Sequence, residues 1–307
     1  MEKISIVVPC YNEEMVIKMF YEETIKVLEL LNNKYDYELV FVNDGSKDNT
    51  LIYLKELKEI NYRIKIISFS RNFGKESAIY AGLSNASGEL VILMDADLQH
   101  PPKLILEMLE ELKNGYDVVA TKRINRKGEP LLKNMFSRVF YKIMGVFLPL
   151  EQGTQDFRIM KKEVVNAILS LKEYNRFSKG IFTWIGYNIK YIPIENVERI
   201  AGKTKWSFTN LFKYAVEGLT SFTTAPLKIS ILLGFLISFV ALITTLIIML
   251  QTLILGKDVP GYASIITSIL FMGGVQLLSI GILSEYISKM YLEIKNRPKY
   301  IIKEKVD

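Results

Sequence analysis

The stretch LVILMDADLQHPP, residues 90–102, decides the fold of this 307-residue chain. Its first five residues are all apolar, which is typical of a strand buried on both faces and therefore of a parallel sheet. Asp95 and Asp97 follow at once, so two carboxylates come where the strand leaves the core. The stretch predicts a buried strand that delivers charged groups to one edge of a sheet.

Similar apolar runs lie on both sides of this stretch and alternate with helical patterns. The predicted strands are Ile4–Val8, Leu39–Asn43, Ile64–Phe69, Leu90–Asp95 and Val118–Thr121. The predicted helices are Met15–Leu31, Thr50–Lys58, Lys75–Leu83 and Lys103–Leu112. This alternation predicts an α/β fold with a doubly wound, mostly parallel sheet that binds its ligand at the carboxyl ends of the strands. No Gly-x-Gly-x-x-Gly follows the first strand and there is no Walker A loop, which disfavours dinucleotide and P-loop sites.

Polar residues gather wherever one of these strands ends. The clusters are Pro9–Glu14, Asn43–Ser46, Ser70–Lys75 and Asp95–His100. Any one of them could be ordinary loop or helix-cap chemistry, because Asn, Asp and Ser favour turns and N-caps. Four clusters at the same edge of one parallel sheet indicate a binding site instead.

Asp95 and Asp97 form the sharpest element of that site. Alternate carboxylates after a buried strand can offer oxygens to one hard cation, and Mg²⁺ or Mn²⁺ takes one or two carboxylates together with substrate phosphates. A diphosphate leaving group needs such neutralisation of charge. An Asp-x-Asp also occurs by chance in turns, which is the structural alternative.

The composition excludes several other kinds of site. One Cys rules out an internal disulfide and a multi-Cys zinc site, and one His rules out a multi-His metal site. Acid–base chemistry therefore falls mainly to carboxylates. Cys10 is expected to be a small buried residue, and His100 a loop residue. The net charge of +6 suits a phosphorylated ligand or an anionic membrane face, whereas nucleic acid is disfavoured because no dense basic run is interleaved with aromatics.

Two long uncharged runs, Ile229–Leu250 and Val259–Ser284, distinguish the last third of the chain. The first would span about 33 Å as a helix, enough for the hydrocarbon core of a bilayer. Two buried helices of a soluble core are the alternative, which the length of both runs disfavours. The predicted segments are a soluble domain at 1–207, an interfacial amphipathic helix at 208–226, transmembrane helices at 227–255 and 262–288, an external loop at 256–261 and a cytoplasmic basic tail at 289–307.

Positive charge predicts the orientation of this hairpin. Lysines and arginines flank its two outer ends, whereas Lys257 is the one basic residue of the connecting loop, so the positive-inside rule places both termini in the cytoplasm. No signal peptide is visible, because the first apolar run is too short. The expected location is the plasma membrane, with two spans and a cytoplasmic soluble domain.

Two features of the membrane region leave alternatives open. The segment 208–226 is predicted to lie in the membrane interface or to pack on the soluble domain. Gly273, Gly274 and Gln276 predict a helix–helix contact, either within one hairpin or between the subunits of a homo-oligomer.

The chain resembles glycosyltransferase family 2, and within it the membrane-anchored polyprenyl-phosphate glycosyltransferases. The matching motifs are VVPCYNEE at 7–14, FVNDGSKDNT at 41–50, RNFGKESAIYAGL at 71–83, MDADLQHPP at 94–102, TQDFRIM at 154–160 and AGKTKWSF at 201–208. The tail at 281–302 is also similar to the end of these proteins, which include dolichol-phosphate mannose synthases and bacterial undecaprenyl-phosphate glucosyltransferases. The six motifs occur in the family's order, and the match runs nearly from end to end of the chain.

The resemblance implies a GT-A fold and an inverting transfer from a UDP- or GDP-sugar to a polyprenyl phosphate, and it carries residue roles over by position. Pro9, Tyr11, Glu13, Asp44 and Asp95 would bind the nucleotide; Asp95, Asp97 and Gln99 would hold Mg²⁺ or Mn²⁺; Arg123, Arg126, Arg199 and Lys205 would bind acceptor or donor phosphates. Asp156 stands at the family's proposed catalytic base, and Arg123 is the second expected catalytic residue.

The chemistry of the acceptor suggests another role for Asp156. A phosphate monoester has a second pKa of about 6 and is mostly dianionic at neutral pH. It scarcely needs a general base, so we expect Asp156 to position the acceptor or the basic residues around it. The structural alternative is that Asp156 is a helix N-cap or a partner of Arg158.

Other functions stay open at this point. A processive polysaccharide synthase usually carries more spans and a Gln-x-x-Arg-Trp motif, which this sequence lacks. A non-catalytic scaffold that binds nucleotide sugar, with a flippase as partner, is disfavoured because the acidic motifs are intact. UDP-glucose or UDP-N-acetylglucosamine is the expected donor, and the lipid-linked sugar would serve glycosylation of the cell envelope.

Overall fold

The computed structural model describes residues 1–124, 153–195, 218–255 and 261–307, together with Gly145, Glu151 and Val216. The chain divides into two compact units. Unit 1 consists of Met1–Ala215 and Arg297–Asp307, and unit 2 of Val216–Asn296. The end of the chain therefore belongs to the same unit as its beginning.

Unit 1 is built on one eight-stranded sheet. Its strands are β1 (Glu2–Cys10), β2 (Tyr35–Asn43), β3 (Ile64–Phe69), β4 (Leu90–Leu93), β5 (Val118–Arg123), β6 (Thr154–Lys161), β7 (Ile189–Ile194) and β8 (Ile302–Val306). Their order across the sheet is β7-β5-β6-β4-β1-β2-β3-β8. β1 to β4 are parallel, β5 and β7 run the same way, and β6 and β8 are antiparallel to their neighbours. The predicted mostly parallel sheet is confirmed.

Helices lie on both faces of this sheet. They are α1 (Ile17–Leu31), α2 (Thr50–Ile60), α3 (Lys75–Asn85), α4 (Leu104–Lys113), α5 (Lys162–Ser170) and α6 (Ser178–Trp184). Because side chains alternate along a strand, Ile4 and Ile6 of β1 join the core formed with α1, α2 and α4. Val7 points the other way, where a Cβ on Gly82 of α3 would come within 2.2 Å of its side chain. The sheet is therefore doubly wound, as expected.

The antiparallel strand β6 brings its first residues to the edge where its neighbours end. Leu93 of β4 pairs with Arg158, and Lys122 of β5 pairs with Thr154. Asp156, two residues before Arg158, therefore lies beyond the end of β4, beside the chain that continues to Asp95. This register is the reason why a carboxylate distant in sequence reaches the site.

The C-terminal segment, Arg297–Asp307, packs on unit 1 as an edge strand and a short arm. β8 pairs with β3, and Tyr300 stacks on Phe69 with ring centroids 4.8 Å apart. The Ser77 hydroxyl of α3 donates to the Lys299 carbonyl at 3.1 Å. The segment thus covers the open edge of β3 and contacts the helix that begins at Lys75.

Unit 2 contains two long helices, α7 (Ala225–Leu255) and α8 (Tyr262–Lys295). Within them, Ala225–Ile248 and Ser264–Lys295 are long and apolar enough to cross a membrane, with mean hydropathies of 2.8 and 2.0. The Ser230 hydroxyl donates to Ser279 Oγ at 2.8 Å and joins the two helices. Most of their large apolar side chains are exposed, as lipid-facing residues would be.

Several predicted boundaries of the membrane region shift in the structure. The first long helix begins at Ala225 instead of 227, and the second continues past 288 to Lys295. The predicted basic tail at 289–307 is divided between α8 and the C-terminal segment. Residues 208–215 and 217 of the predicted interfacial helix, and residues 256–260 of the predicted loop, lie outside the described residues. Among the described residues, a Cβ at Gly273 or Gly274 would meet no atom within 4 Å, so neither glycine is a close contact point there.

Candidate active site

The loops that follow β1 and β2 are tied together by hydrogen bonds from backbone to side chain. The Asn12 N–H donates to Ser46 Oγ at 3.0 Å, and the Lys47 N–H donates to Asn12 Oδ1 at 2.9 Å. The Glu13 N–H donates to Thr50 Oγ1 at 2.8 Å. Asn12 has a φ of 57°, a left-handed conformation that Asn tolerates in turns. The first two predicted clusters therefore form one surface.

Asp44 fixes the loop after β3 to the loop after β2. Its buried carboxylate accepts the N–H of Phe73 at 2.6 Å and the N–H of Gly74 at 3.0 Å. Burial raises the pKa of Asp44 against the opposing effect of these donors and of Arg71. Gly45 has a φ of 65°, and a Cβ there would lie 2.4 Å from the Arg71 carbonyl carbon. The third cluster is thereby held against the second.

The ammonium of Lys75 joins two carboxylates from different strands. Lys75 Nζ lies 2.7 Å from Asp95 Oδ1, 2.8 Å from Asp95 Oδ2 and 2.6 Å from Asp156 Oδ2. Lys75 is the first residue of α3, Asp95 follows β4, and Asp156 belongs to the start of β6. Three elements thus converge on one cluster of charges, which is the centre of the candidate site.

The charges of this cluster stabilise one another. Burial acts to lower the pKa of Lys75, but Asp156 and Asp95 raise it well above its usual value. Burial acts to raise the pKa of Asp156, but Lys75 and Lys179 hold it well below its usual range. Both groups therefore stay charged at physiological pH, and Asp156 is poorly suited to take up a proton.

The Arg158 side chain fixes the start of β6 by hydrogen bonds to backbone carbonyls of that strand. Its Nε donates to the Asp156 carbonyl at 3.2 Å, and its terminal nitrogen donates to the Gln155 carbonyl at 2.8 Å. The guanidinium is buried over the Phe182 ring, 3.5 Å from its centroid, and burial lowers the pKa of Arg158 to about 10. The helix N-cap alternative for Asp156 is wrong, because this residue lies in a strand, and Arg158 hydrogen-bonds its carbonyl.

Glu76 connects α3 to α6. Its carboxylate accepts the Ser178 N–H at 3.2 Å and also the Ser178 hydroxyl. Burial raises the pKa of Glu76, while these bonds act to lower it. The contact places Lys179, the next residue, where its charge acts on Asp156.

The loop that carries Asp95, Asp97 and Gln99 has donors that suit a hard divalent cation. Leu98 has a φ of 55°, a conformation that is rare for leucine and that concentrates at functional sites. Among the described residues, no group of three or more His, Cys, Asp and Glu side chains is placed to hold a metal. Two carboxylates and an amide nevertheless fit Mg²⁺ or Mn²⁺ that completes its coordination with substrate phosphates. The Lys75 ammonium lies on the Asp95 carboxylate, so this one of the three groups already contacts a cation.

The remaining predicted residues differ in what the structure shows of them. Arg123 ends β5 at the same edge, and its buried Nε has no hydrogen-bond partner in the part of the chain that is described. His100 lies in a loop, as expected, but is only 4% exposed, and burial lowers its pKa. Cys10 is buried, as predicted. Pro9, Tyr11 and Glu13 are half-buried at the end of β1. Arg126, Arg199 and Lys205 lie outside the described residues.

The sequence interpretation assigned no role to Lys75, Glu76 or Lys179, although all three belong to the site or its support. One signal could have found Lys75: a lysine opens a helix, where the macrodipole favours an acidic residue. Glu76 and Lys179 carry no comparable signal, because their contacts depend on how α6 packs against α3.

The sequence profile of the family described as "Glycosyl transferase family 2" matches residues 5–169, and the profile described as "GtrB C-terminal hairpin" matches residues 225–290. The first match covers the strands that form the site, and the second covers most of α7 and α8. Both regions of the chain therefore have counterparts in known proteins.

Several known proteins match this chain over nearly its whole length. CsbB of Bacillus subtilis is 47% identical over 303 residues, covering 98% of this chain and 91% of its own. The SfII prophage-derived bactoprenol glucosyl transferase of Shigella flexneri is 42% identical, with 98% of both chains covered. The prophage bactoprenol glucosyl transferase homolog of Escherichia coli is 43% identical, also with 98% of both chains covered.

Proposed function

The chain belongs to glycosyltransferase family 2, and we therefore propose that it transfers a sugar, with inversion, from a UDP-sugar to a polyprenyl phosphate. Glucose is the sugar we favour, because two relatives carry the name bactoprenol glucosyl transferase; N-acetylglucosamine is the alternative. The observation that carries the proposal is the cluster of Asp95, Lys75 and Asp156, in a chain whose other unit is an apolar hairpin.

Asp95, Asp97 and Gln99 are the residues that would hold Mg²⁺ or Mn²⁺. When bound, the metal would neutralise charge on the diphosphate that leaves with the nucleotide. Pro9, at the end of β1, would bind base and ribose together with Tyr11, Glu13 and Asp44 from the loops after β1 and β2. Part of the effect of Asp44 would be indirect, because its carboxylate accepts hydrogen bonds from the Phe73 and Gly74 N–H groups and so holds the loop after β3 in place.

Asp156 would position the acceptor instead of removing a proton from it. Its carboxylate is held ionised by two lysines, and a phosphate dianion needs no base. Arg123 would contact the acceptor phosphate, since arginine makes bidentate contacts with phosphate oxygens and its Nε lies buried at this edge. Arg126, Arg199 and Lys205 are proposed to add charge around the same phosphate.

The hairpin would keep the enzyme at the membrane that contains its acceptor. The protein is membrane-associated through the two apolar helices and the matching hairpin family. We infer from the distribution of lysine and arginine that unit 1 and both termini face the cytoplasm of a bacterial cell. A homo-oligomer and a flippase partner stay predictions.

The direct test is label transfer in membranes. Radiolabelled UDP-glucose and undecaprenyl phosphate should give labelled lipid, EDTA should abolish the transfer, and added Mn²⁺ or Mg²⁺ should restore it. Asp97→Asn should reduce the rate about 100-fold or more, whereas Asp36→Asn, a change at a surface carboxylate, should not. Absence of labelled lipid with every UDP- and GDP-sugar would refute the proposal and favour a scaffold that binds nucleotide sugar.

A second variant tests the role of Asp156. Asp156→Asn should lower the rate by about tenfold and raise the acceptor KM, because orientation weakens while the acceptor dianion is unchanged. A loss on the order of 10³-fold that is relieved at high pH would identify Asp156 as a general base.

A further inference from the structure

The position of Lys75 has a consequence for how the site takes up a cation. Its ammonium contacts both carboxylate oxygens of Asp95, at 2.7 Å and 2.8 Å, and Asp156 at 2.6 Å. Any divalent metal that Asp95 binds must use at least one of the same oxygens. The ammonium and the metal would then be cations on one carboxylate, and their repulsion over a few ångströms is strong in a partly desolvated site.

In the part of unit 1 that the structure describes, other residues make the contacts that hold the start of α3 in place. The loop before α3 is fixed by Asp44, and the contact from α3 to α6 is made by Glu76. The Lys75 side chain itself is 46% exposed. A positive charge at the first turn of a helix is also unfavourable to the helix dipole. The residue therefore contributes charge to the site more than support to the fold.

We propose that Lys75 competes with the divalent metal for Asp95, and so makes the metal bind well only together with the nucleotide diphosphate. This inference rests on the proposed function, in which the donor brings a diphosphate to Asp95 and Asp97. The diphosphate brings negative charge that replaces the Asp95 carboxylate as a partner of the Lys75 ammonium. Asp156 keeps its contact with Lys75 throughout. Lys75 is thus a positioning residue that couples the binding of metal and donor.

The test measures the binding of Mn²⁺ to the full chain in detergent micelles by electron paramagnetic resonance, with and without UDP. Wild-type protein should bind Mn²⁺ weakly alone and on the order of tenfold or more tightly with UDP. Lys75→Met should bind Mn²⁺ alone about tenfold or more tightly than wild type, and UDP should improve its affinity less. Transfer by this variant should fall although its metal affinity rises.

Three further proteins make the result specific. Lys75→Arg keeps the cation and should bind Mn²⁺ alone as weakly as wild type. Lys18→Met removes a surface lysine paired with Glu56 at 2.7 Å and should change nothing. Asp97→Asn should abolish the UDP-dependent binding. If Lys75→Met does not fold, as judged by thermal unfolding, Lys75→Gln makes the same test.

Two outcomes would overturn the inference. One is that neutralising Lys75 leaves Mn²⁺ affinity unchanged or lower in the absence of UDP. The other is that no protein binds Mn²⁺ even with UDP. The proposed function fails separately, if wild-type protein shows the expected coupling between Mn²⁺ and UDP but transfers no sugar to a polyprenyl phosphate.

Discussion

Units 1 and 2 treat the same residue type in opposite ways. Phe41 in β2 is fully buried, whereas Phe271 in α8 is 59% exposed. In unit 1 the apolar strands are covered and the polar groups meet at one edge; in unit 2 the apolar side chains are outermost and the Ser230–Ser279 hydrogen bond lies between the helices. The difference indicates that unit 1 is suited to water and unit 2 to lipid, because exposed apolar surface of this extent is stable only in lipid.

The strongest test of this comparison replaces one phenylalanine in each unit by alanine. Phe41→Ala should lower the free energy of unfolding of unit 1 by about 3–5 kcal/mol, because it removes buried contacts and leaves a cavity. Phe271→Ala should leave that transition unchanged. Chemical denaturation of the full chain in micelles, followed by near-ultraviolet circular dichroism, measures both, and equal effects would mean that the two units share one core.

The second test places a charge on an exposed leucine of each unit. Leu236→Arg, near the centre of the first span, should cost about 3 kcal/mol of membrane insertion. Leu30→Arg, on α1 at 73% exposure, should change stability by no more than about 0.5 kcal/mol. Translocon-mediated insertion of the first span measures this cost, and an unchanged apparent free energy of insertion would contradict a spanning helix.

The third test measures how the stability of unit 1 changes as the pH is lowered. Glu38 is 2% exposed, and although burial acts to raise its pKa, hydrogen bonds from Ser5 and Ser87 and the ammonium groups of Lys65 and Lys3 lower it to about 2. A depressed pKa stabilises the fold above the unfolded value of about 4.5, and this contribution is lost as pH falls toward 2. The loss should be on the order of 2–3 kcal/mol.

Glu38→Gln is the variant that isolates this effect. It should be less stable than wild type at pH 7 and should lose less stability between pH 5 and about 2, whereas Asp36→Asn should follow wild type. Thermal unfolding across this pH range measures both. An identical acid profile for wild type and Glu38→Gln would assign the acid sensitivity to other carboxylates.

The smallest effect tests where unit 1 ends. Tyr300→Ala removes the ring stacked on Phe69 and should cost unit 1 about 1 kcal/mol. Tyr291→Ala, nine residues earlier in α8, should not affect unit 1. A reversed pattern in thermal unfolding would place the C-terminal segment with unit 2.

The core of unit 1 could be predicted because each parallel strand is a continuous apolar run. β1 to β5 and α1 to α4 lie where those runs and the helical patterns predict them, although β4 ends at Leu93 instead of Asp95. The hairpin could be predicted for a similar reason, because length and lack of charge are local properties. Its ends could not, because α8 continues into residues that carry charge.

Local sequence patterns of this kind did not predict the strands β6, β7 and β8. β6 is identified by its pairing with Leu90–Leu93, more than sixty residues away in the chain. β8 has the sequence IKEKV, and its charges suit an edge strand. The same charges make it indistinguishable by sequence pattern from the rest of the basic tail.

The centre of the site was predicted in part. Asp95 and Asp97 follow directly from the end of a buried strand, and Asp156 came only with the family resemblance. The contact of Lys75 with Asp95 and Asp156 needed the register of β6 against β4, which no local pattern contains.

The membership of β8 in the sheet of unit 1 also has a consequence for biosynthesis. A ribosome completes β1 to β7 first, then both helices of the hairpin, and only afterwards the strand that covers β3. Until then the nascent sheet presents an unpaired edge, a surface prone to intermolecular pairing. Insertion of the hairpin into the bilayer would hold each nascent chain apart from its neighbours during this interval. Completion of the sheet therefore has to wait until both helices of the hairpin have been synthesised.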